Sequence, residues 1–385
     1  TVSVGQGPQP QTPEASQPIP PPLPNDALYQ RDGTNRGYQE YFMIDISDGY
    51  QIRAQFSKGV TNNQGIEEKN LLVNKVTEII TELTSFPGIN DTTHYHNILS
   101  YDSNNDNGEK GIIYIYHPNQ IWGDDDDDRS TWDESFLGSG IGKYERLSDI
   151  TYYTTDEQLV TPYLYLRDAG EDNRGASDGR DLDFEVSGLG GIVSKPNTSI
   201  SDYNLTCTEP TSGYNYDNIL VHEFSHTIRE CALITPPSGG IDYYNDLYQF
   251  WGKWKDKVTN TLDVSGNKIY DINQIYAGHP REFWAELVQT WFGSDRLPDD
   301  VGYPNIFIST IADIKNEEFS IFRLKPGISQ ASTLDDYDNI TLFNWLSDIF
   351  GPCRSSKDSD RDNHQCDVEN INLLTCCHIN QVFCN

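Results

Sequence analysis

Ile219-Leu-Val-His-Glu-Phe-Ser-His-Thr-Ile228 is the stretch on which the reading of this chain turns, because His222, Glu223 and His226 stand in the spacing H-E-x-x-H. Four residues is about one helical turn. In a helix both imidazoles therefore project from one face, close enough to reach one metal ion at ~2.0–2.1 Å, while Glu223 sits beside them. Ile219, Leu220 and Val221 before the motif and Ile228 after it make the helix largely apolar. Imidazoles buried in such a helix need a partner. Zinc is the expected partner; a hydrogen-bonded structural pair is the alternative.

Two nitrogens do not complete a catalytic zinc site, which needs a third protein ligand and an open fourth position. The extended motif, with glycine three and histidine six residues beyond the second histidine, is absent, since Arg229 and Ala232 hold those places. The best donor segment is residues 276–292, Tyr-Ala-Gly-His-Pro-Arg-Glu-Phe-Trp-Ala-Glu-Leu-Val-Gln-Thr-Trp-Phe, where Pro280 suits the first turn of a helix. Glu282 and Glu286 lie four apart on one face, while Phe283, Leu287 and Trp291 can pack on the core. Carboxylates facing a core call for a metal, with Glu282 as ligand and Glu286 hydrogen-bonding a histidine from behind. A solvated acidic helix face is the other reading. His279, in the loop before Pro280, is an oxyanion donor, a substitute ligand or an ordinary surface residue.

Outward from these two helices, residues 41–46, 50–56, 111–116 and 160–166 are rich in β-branched and aromatic residues and read as strands. Residues 70–83 place Leu71, Leu72, Val76, Ile79, Ile80 and Leu83 at helical spacing. Further helices are expected over 218–230 with Asp217 as N-cap, 243–259, 281–292 and 342–350. Strands mostly precede helices, which predicts an α+β fold, a sheet subdomain followed by a helical one. Eight prolines within residues 1–25 favour an extended arm. Residues 1–37 are therefore assigned to the arm, 38–350 to the domain and 351–385 to a cysteine-rich C-terminal segment.

Lys+Arg 27 against Asp+Glu 59 leaves a net charge of −32, which repels nucleic-acid backbones and anionic lipid headgroups. No run approaches the ~18 apolar residues that cross a bilayer, so a soluble protein is expected. The chain starts at Thr1 with no apolar leader, as a processed form does. Sequons at Asn90, Asn197, Asn204 and Asn339 and seven cysteines, five of them after residue 350, point to a secreted, glycosylated, disulfide-stapled protein. The odd count leaves connectivity open, a Cys207–Cys231 bridge being one choice. Asp358, Asp360, Asp362 and Glu369 occupy loop positions one, three, five and twelve of a calcium-binding pattern, with Asn363 in place of the usual glycine. Calcium there, a weaker pattern at Asp102, Asn104 and Asp106, and a solvated loop at Asp124 to Asp128 complete the acidic features.

His-Glu-Phe-Ser-His, followed by a tyrosine and Glu-Phe-Trp-Ala-Glu, resembles the gluzincin metallopeptidases of the anthrax lethal factor and Pro-Pro endopeptidase type over about residues 216–293. The resemblance implies a zincin-like domain with His222, His226 and Glu282 as zinc ligands, Glu223 as general base and Tyr276 as oxyanion stabiliser. Tyr276 stands six residues before Glu282 rather than seven, and the segment between the helices is longer than in that family. A secreted zinc endopeptidase acting on a protein or peptide substrate is the expectation. The rival is a non-catalytic acidic extracellular glycoprotein on the same scaffold; neither fixes the oligomeric state.

Overall fold

The computed structural model describes residues 26–31, 38–47, 49–57, 60–61, 64–104, 110–116, 188–191, 196–206, 218–260, 262, 264–268, 280–292, 294, 314, 319–325 and 332–351. Period-two patterning sets the sheet. β1 (Gln30–Arg31), β2 (Tyr38–Ser47) and β3 (Tyr50–Ser57) run antiparallel in sequence. Phe42, Ile44 and Ile46 of β2 and Ile52, Ala54 and Phe56 of β3 point into one core. From β3 the chain crosses through α1 (Ile66–Thr84) and α2 (Thr93–Leu99) to β4 (Ile112–Tyr116), which pairs parallel with β3. A parallel neighbour requires such a crossover. α1 buries Leu72, Val73, Val76, Ile79, Ile80 and Leu83, the face that its sequence periodicity predicts.

β5 (Gly188–Leu189) and β6 (Thr198–Ser201) close the other side of the sheet, whose order is β1-β2-β3-β4-β6-β5. β6 is parallel to β4, and β5 is antiparallel to β6 at the edge. The short α3 (Asp202–Thr206) leads on to α4 (Ile219–Thr227), which continues as a π-helical turn over Ile228–Leu233. α5 (Tyr243–Asn260) and α6 (Pro280–Trp291) follow, then a hairpin of β7 (Ser320–Leu324) and β8 (Tyr337–Thr341), then α7 (Leu342–Phe350). The architecture is mixed α and β, compatible with α+β. The division into sheet then helices is only partial, because α1 and α2 sit between strands and β7–β8 comes late.

Aromatic side chains fasten the helical half. Trp284 meets Trp345 edge to face at 5.6 Å, Phe250 lies 5.3 Å from Trp345, and Phe292 lies 5.3 Å from Phe350. Such pairs add about 0.5–1.5 kcal/mol each beyond their burial. Thr341 caps α7 by accepting from the Asn344 amide at 3.2 Å.

Three expectations change. Residues 26–31, assigned to the arm, belong to the domain: Tyr29 is buried, Leu28 N donates to Asn70 Oδ1 at 3.0 Å, and Asn70 Nδ2 returns a bond to the Asp26 carbonyl at 3.0 Å. The buried Lys69 lies over the Tyr29 ring and pairs with Glu40 at 2.7 Å, which gives this segment its place on α1. The N-cap of α4 is Asn218, whose side chain accepts from Val221 N, and not Asp217. The Asn197 and Asn204 amides are buried inside the fold, where their oxygens accept from Ile112 N and Ile219 N, so as folded they offer nothing to a glycan. Asn90 and Asn339 are exposed. The expected strand at 160–166, the aspartate run at 124–128, the remainder of the arm and residues 352–385, with five of the cysteines, lie outside the described residues. Cys231 is buried in the π-helical turn, and Cys207 lies outside the described residues. No described helix is long and apolar enough to cross a membrane.

Candidate metal centre

α4 and α6 run antiparallel and are joined along their whole length. At one end Asn218 N donates to the Ser294 carbonyl at 3.0 Å, and midway the Trp284 indole donates to the Ser225 carbonyl at 2.7 Å. At the other end Arg281 Nε donates to Glu230 Oε1 at 2.9 Å. This alignment brings Glu282, in the first turn of α6, opposite the imidazoles of α4.

The three donor atoms form a nearly equilateral triangle. His222 Nε2 lies 3.2 Å from His226 Nε2 and 3.1 Å from Glu282 Oε2, and His226 Nε2 lies 3.5 Å from the same oxygen. Tetrahedral zinc with bonds of ~2.0–2.2 Å separates its ligand atoms by about 3.3–3.5 Å, so these edges fit the ion. Among the described residues this is the one group of three or more potential ligands.

The protonation pattern follows from a chain of donors. Gln289 Nε2 donates to the Asn218 carbonyl at 3.4 Å, which turns Gln289 Oε1 toward His222 Nδ1 at 2.8 Å. An amide oxygen can only accept, so His222 carries a hydrogen on Nδ1, and the ring is held with Nε2 facing His226 and Glu282. Gln289, two turns beyond Glu282 on the same helix, thus orients His222 from Nδ1, and Glu286 acts on the same imidazole through its charge.

Three electron-rich atoms converging in a largely buried place repel one another unless a positive charge lies among them. Burial works against a charged His222. The hydrogen bond and charge of Glu282, with the charges of Glu223 and Glu286, outweigh it and push the imidazole up to about 10. Burial likewise opposes ionisation of Glu282, yet the charge of His226 and the hydrogen bonds from both histidines hold its carboxyl well below the usual range. Two imidazoles and a carboxylate at these separations form a donor set that can hold a metal ion. His226 is 12% exposed and Glu282 23%, so this face is not sealed. Nδ1 of His226 is buried with no hydrogen-bond partner among the described residues.

The edge strand approaches the motif helix more closely than any side chain would permit. A Cβ on Gly188 would lie 2.8 Å from Glu223 Cγ and 2.9 Å from the Ser199 carbonyl oxygen. A Cβ on Gly190 would run into the Glu223 carbonyl oxygen and His226 Cβ. Only glycine lets backbone come this near. Gly191 N donates to Thr227 Oγ1 at 2.7 Å, and Thr198 Oγ1 meets the same hydroxyl at 2.6 Å, tying β5 and β6 to α4.

The structure therefore brings together His222, Glu223, His226, Glu282 and Glu286. Tyr276 and His279, and the calcium loop of Asp358, Asp360, Asp362 and Glu369, lie outside the described residues. Sequence reading missed Gln289 and the glycines of residues 188–191. Gln289 had a signal, a lone amide seven residues from Glu282 among Leu287, Val288 and Trp291. Comparison of the chain with protein-family models, with curated proteins and with solved structures finds no match to any of them.

Proposed function

We propose that the chain is a zinc-dependent endopeptidase of the gluzincin kind, with a zincin-like domain and a protein or peptide substrate. The single observation that carries this reading is the triangle of His222, His226 and Glu282 donors with Glu223 beside it. His222, His226 and Glu282 would hold zinc, which supplies a Lewis acid and lowers the pKa of a coordinated water toward ~7. Glu223, next to His222 in the chain and reaching toward the edge strand, takes the proton from the attacking water and returns it to the leaving amine. β5 supports a peptide substrate in particular, because it is the last strand of the described sheet and its chain lies against Glu223 and His226, where an extended peptide can add as a further strand.

The exposed sequons at Asn90 and Asn339 support secretion of the protein. A surface of net charge −32 favours cationic peptides.

Metal analysis of the purified chain combined with a peptide-library digest tests the reading. Zinc near one per chain and cleavage abolished by chelation are expected. In Glu223→Gln zinc should remain while cleavage falls by several orders of magnitude. Cleavage at the parent rate in that variant removes the mechanism; zinc without cleavage in the parent leaves the acidic binding scaffold in its place.

A further inference from the structure

Metal chemistry accounts for the donors but not for the charged cluster at the end of α4. Glu230, four residues beyond His226, is 4% exposed. Its Oε1 accepts from Arg281 Nε at 2.9 Å and pairs with the guanidinium of Arg229. Arg229 is itself 1% exposed, lies 4.7 Å from the ring centroid of Tyr244 and 5.5 Å from that of Tyr248, and donates from Nη2 to the Tyr248 hydroxyl at 3.3 Å. Taking a carboxylate and a guanidinium out of water costs several kcal/mol per ion. A neutral pair of similar shape would pack there at less cost, so the charges call for an explanation.

Their place in the fold supplies one. Arg281 is the residue immediately before Glu282, in the first turn of α6, where the backbone amides lack intrahelical partners and the helix is least fixed. Asn218, Ser294 and Gln289 fasten the far end of α6, and Trp284 its middle. Apart from the contacts of Glu282 with the imidazoles, the Arg281–Glu230 pair is the bond of this series that reaches the turn carrying the third donor.

We infer that Glu230 and Arg281 form a positioning clamp that presses the first turn of α6 against the end of α4 and so sets Glu282 at the third metal-donor position, with Arg229 holding Glu230 in place. The inference rests on the metal-centre reading above. The clamp touches neither substrate nor metal; it acts through Glu282. Loss of Arg281 leaves Glu230 paired with Arg229, so that buried carboxylate keeps a cation beside it. Loss of Glu230 would strand Arg229, which makes Arg281 the better residue to change.

The test measures zinc affinity of the full chain by competition with a chromophoric chelator, and melting of the metal-free chain, in the parent, Glu282→Gln, Arg281→Met and Arg281→Lys. The parent should bind zinc, and Glu282→Gln should bind it far more weakly, whatever the fate of the clamp. Arg281→Met should bind about 10–100-fold more weakly than the parent, the range that outer partners of metal ligands command, with metal-free melting unchanged. Arg281→Lys, which keeps the charge, should recover part of the loss. Parent-like zinc affinity in Arg281→Met overturns the clamp and leaves the metal centre standing. So does a loss of affinity matched by an equally lowered metal-free melting temperature. A parent that binds no zinc, or a Glu282→Gln variant that binds as tightly as the parent, overturns the metal centre and the clamp with it.

Discussion

His222 shows how much one side chain depends on what stands behind it. Its Nδ1 hydrogen is taken by Gln289, whose own amide nitrogen is committed to the Asn218 carbonyl, so the ring is held with Nε2 toward Glu282 and His226. Gln289→Leu removes that acceptor and leaves the tautomer free. Zinc affinity should fall about 10–100-fold, and the stranded buried donor should cost about 1–3 kcal/mol of stability. A zinc titration with unchanged affinity would show that Gln289 has no orienting role. At this scale the sequence spoke clearly about His222, Glu223 and His226, because the spacing itself encodes the geometry. It spoke ambiguously about Glu286, which has the right charge and the right face. The hydrogen bond went to the residue whose rise along α6 matches His222, and rise is decided by how two helices dock.

Between elements, the decisive contact is β5 against α4. Gly190→Ala would place a methyl group against the Glu223 carbonyl and His226 Cβ, both on a helix held in the core, so neither can give way cheaply. A loss of about 1–3 kcal/mol and a lower melting temperature are expected. A parent-like thermal transition in Gly190→Ala would mean that β5 can shift away from the helix. The helices themselves were legible: the apolar period over residues 70–83 falls within α1, and Pro280 opens α6 as its fixed φ favours. Residues 188–191 were not legible, since Gly-Leu-Gly-Gly has no period and its glycines answer to a helix more than thirty residues ahead. Tyr29 was overlooked for a similar reason, its partners Lys69 and Phe56 being remote in sequence.

At the scale of the whole molecule, buried charge links the late hairpin to the helices. Arg323 on β7 donates to Asp246 on α5 at 3.2 Å and to Asp348 on α7 at 3.4 Å. Burial pushes Asp246 up to about 6; Arg323 opposes the shift and the charge of Asp242 adds to it. An acid whose folded pKa lies above its unfolded value of ~4 takes up a proton on folding, so its contribution to stability is fullest below pH ~4 and is lost as pH rises to about 6. The stability difference between parent and Asp246→Asn should therefore drift against the parent between pH 4 and 6 and level off above pH 7, as read by denaturant unfolding at each pH. A difference that stays flat from pH 4 to 7 would show that Asp246 titrates normally. The sequence by itself determined the H-E-x-x-H spacing, the amphipathic helices, the strands near residues 41–56 and 111–116 and the strongly negative charge, because each depends on residue types and, for the elements, on fixed local spacing. Only the tertiary structure decided that Glu282 completes the donor triangle, that Gln289 sets the imidazole, that glycines admit the edge strand and that Asn197 and Asn204 serve the interior. Each of these depends on which distant segments meet, and local spacing carries no information about that.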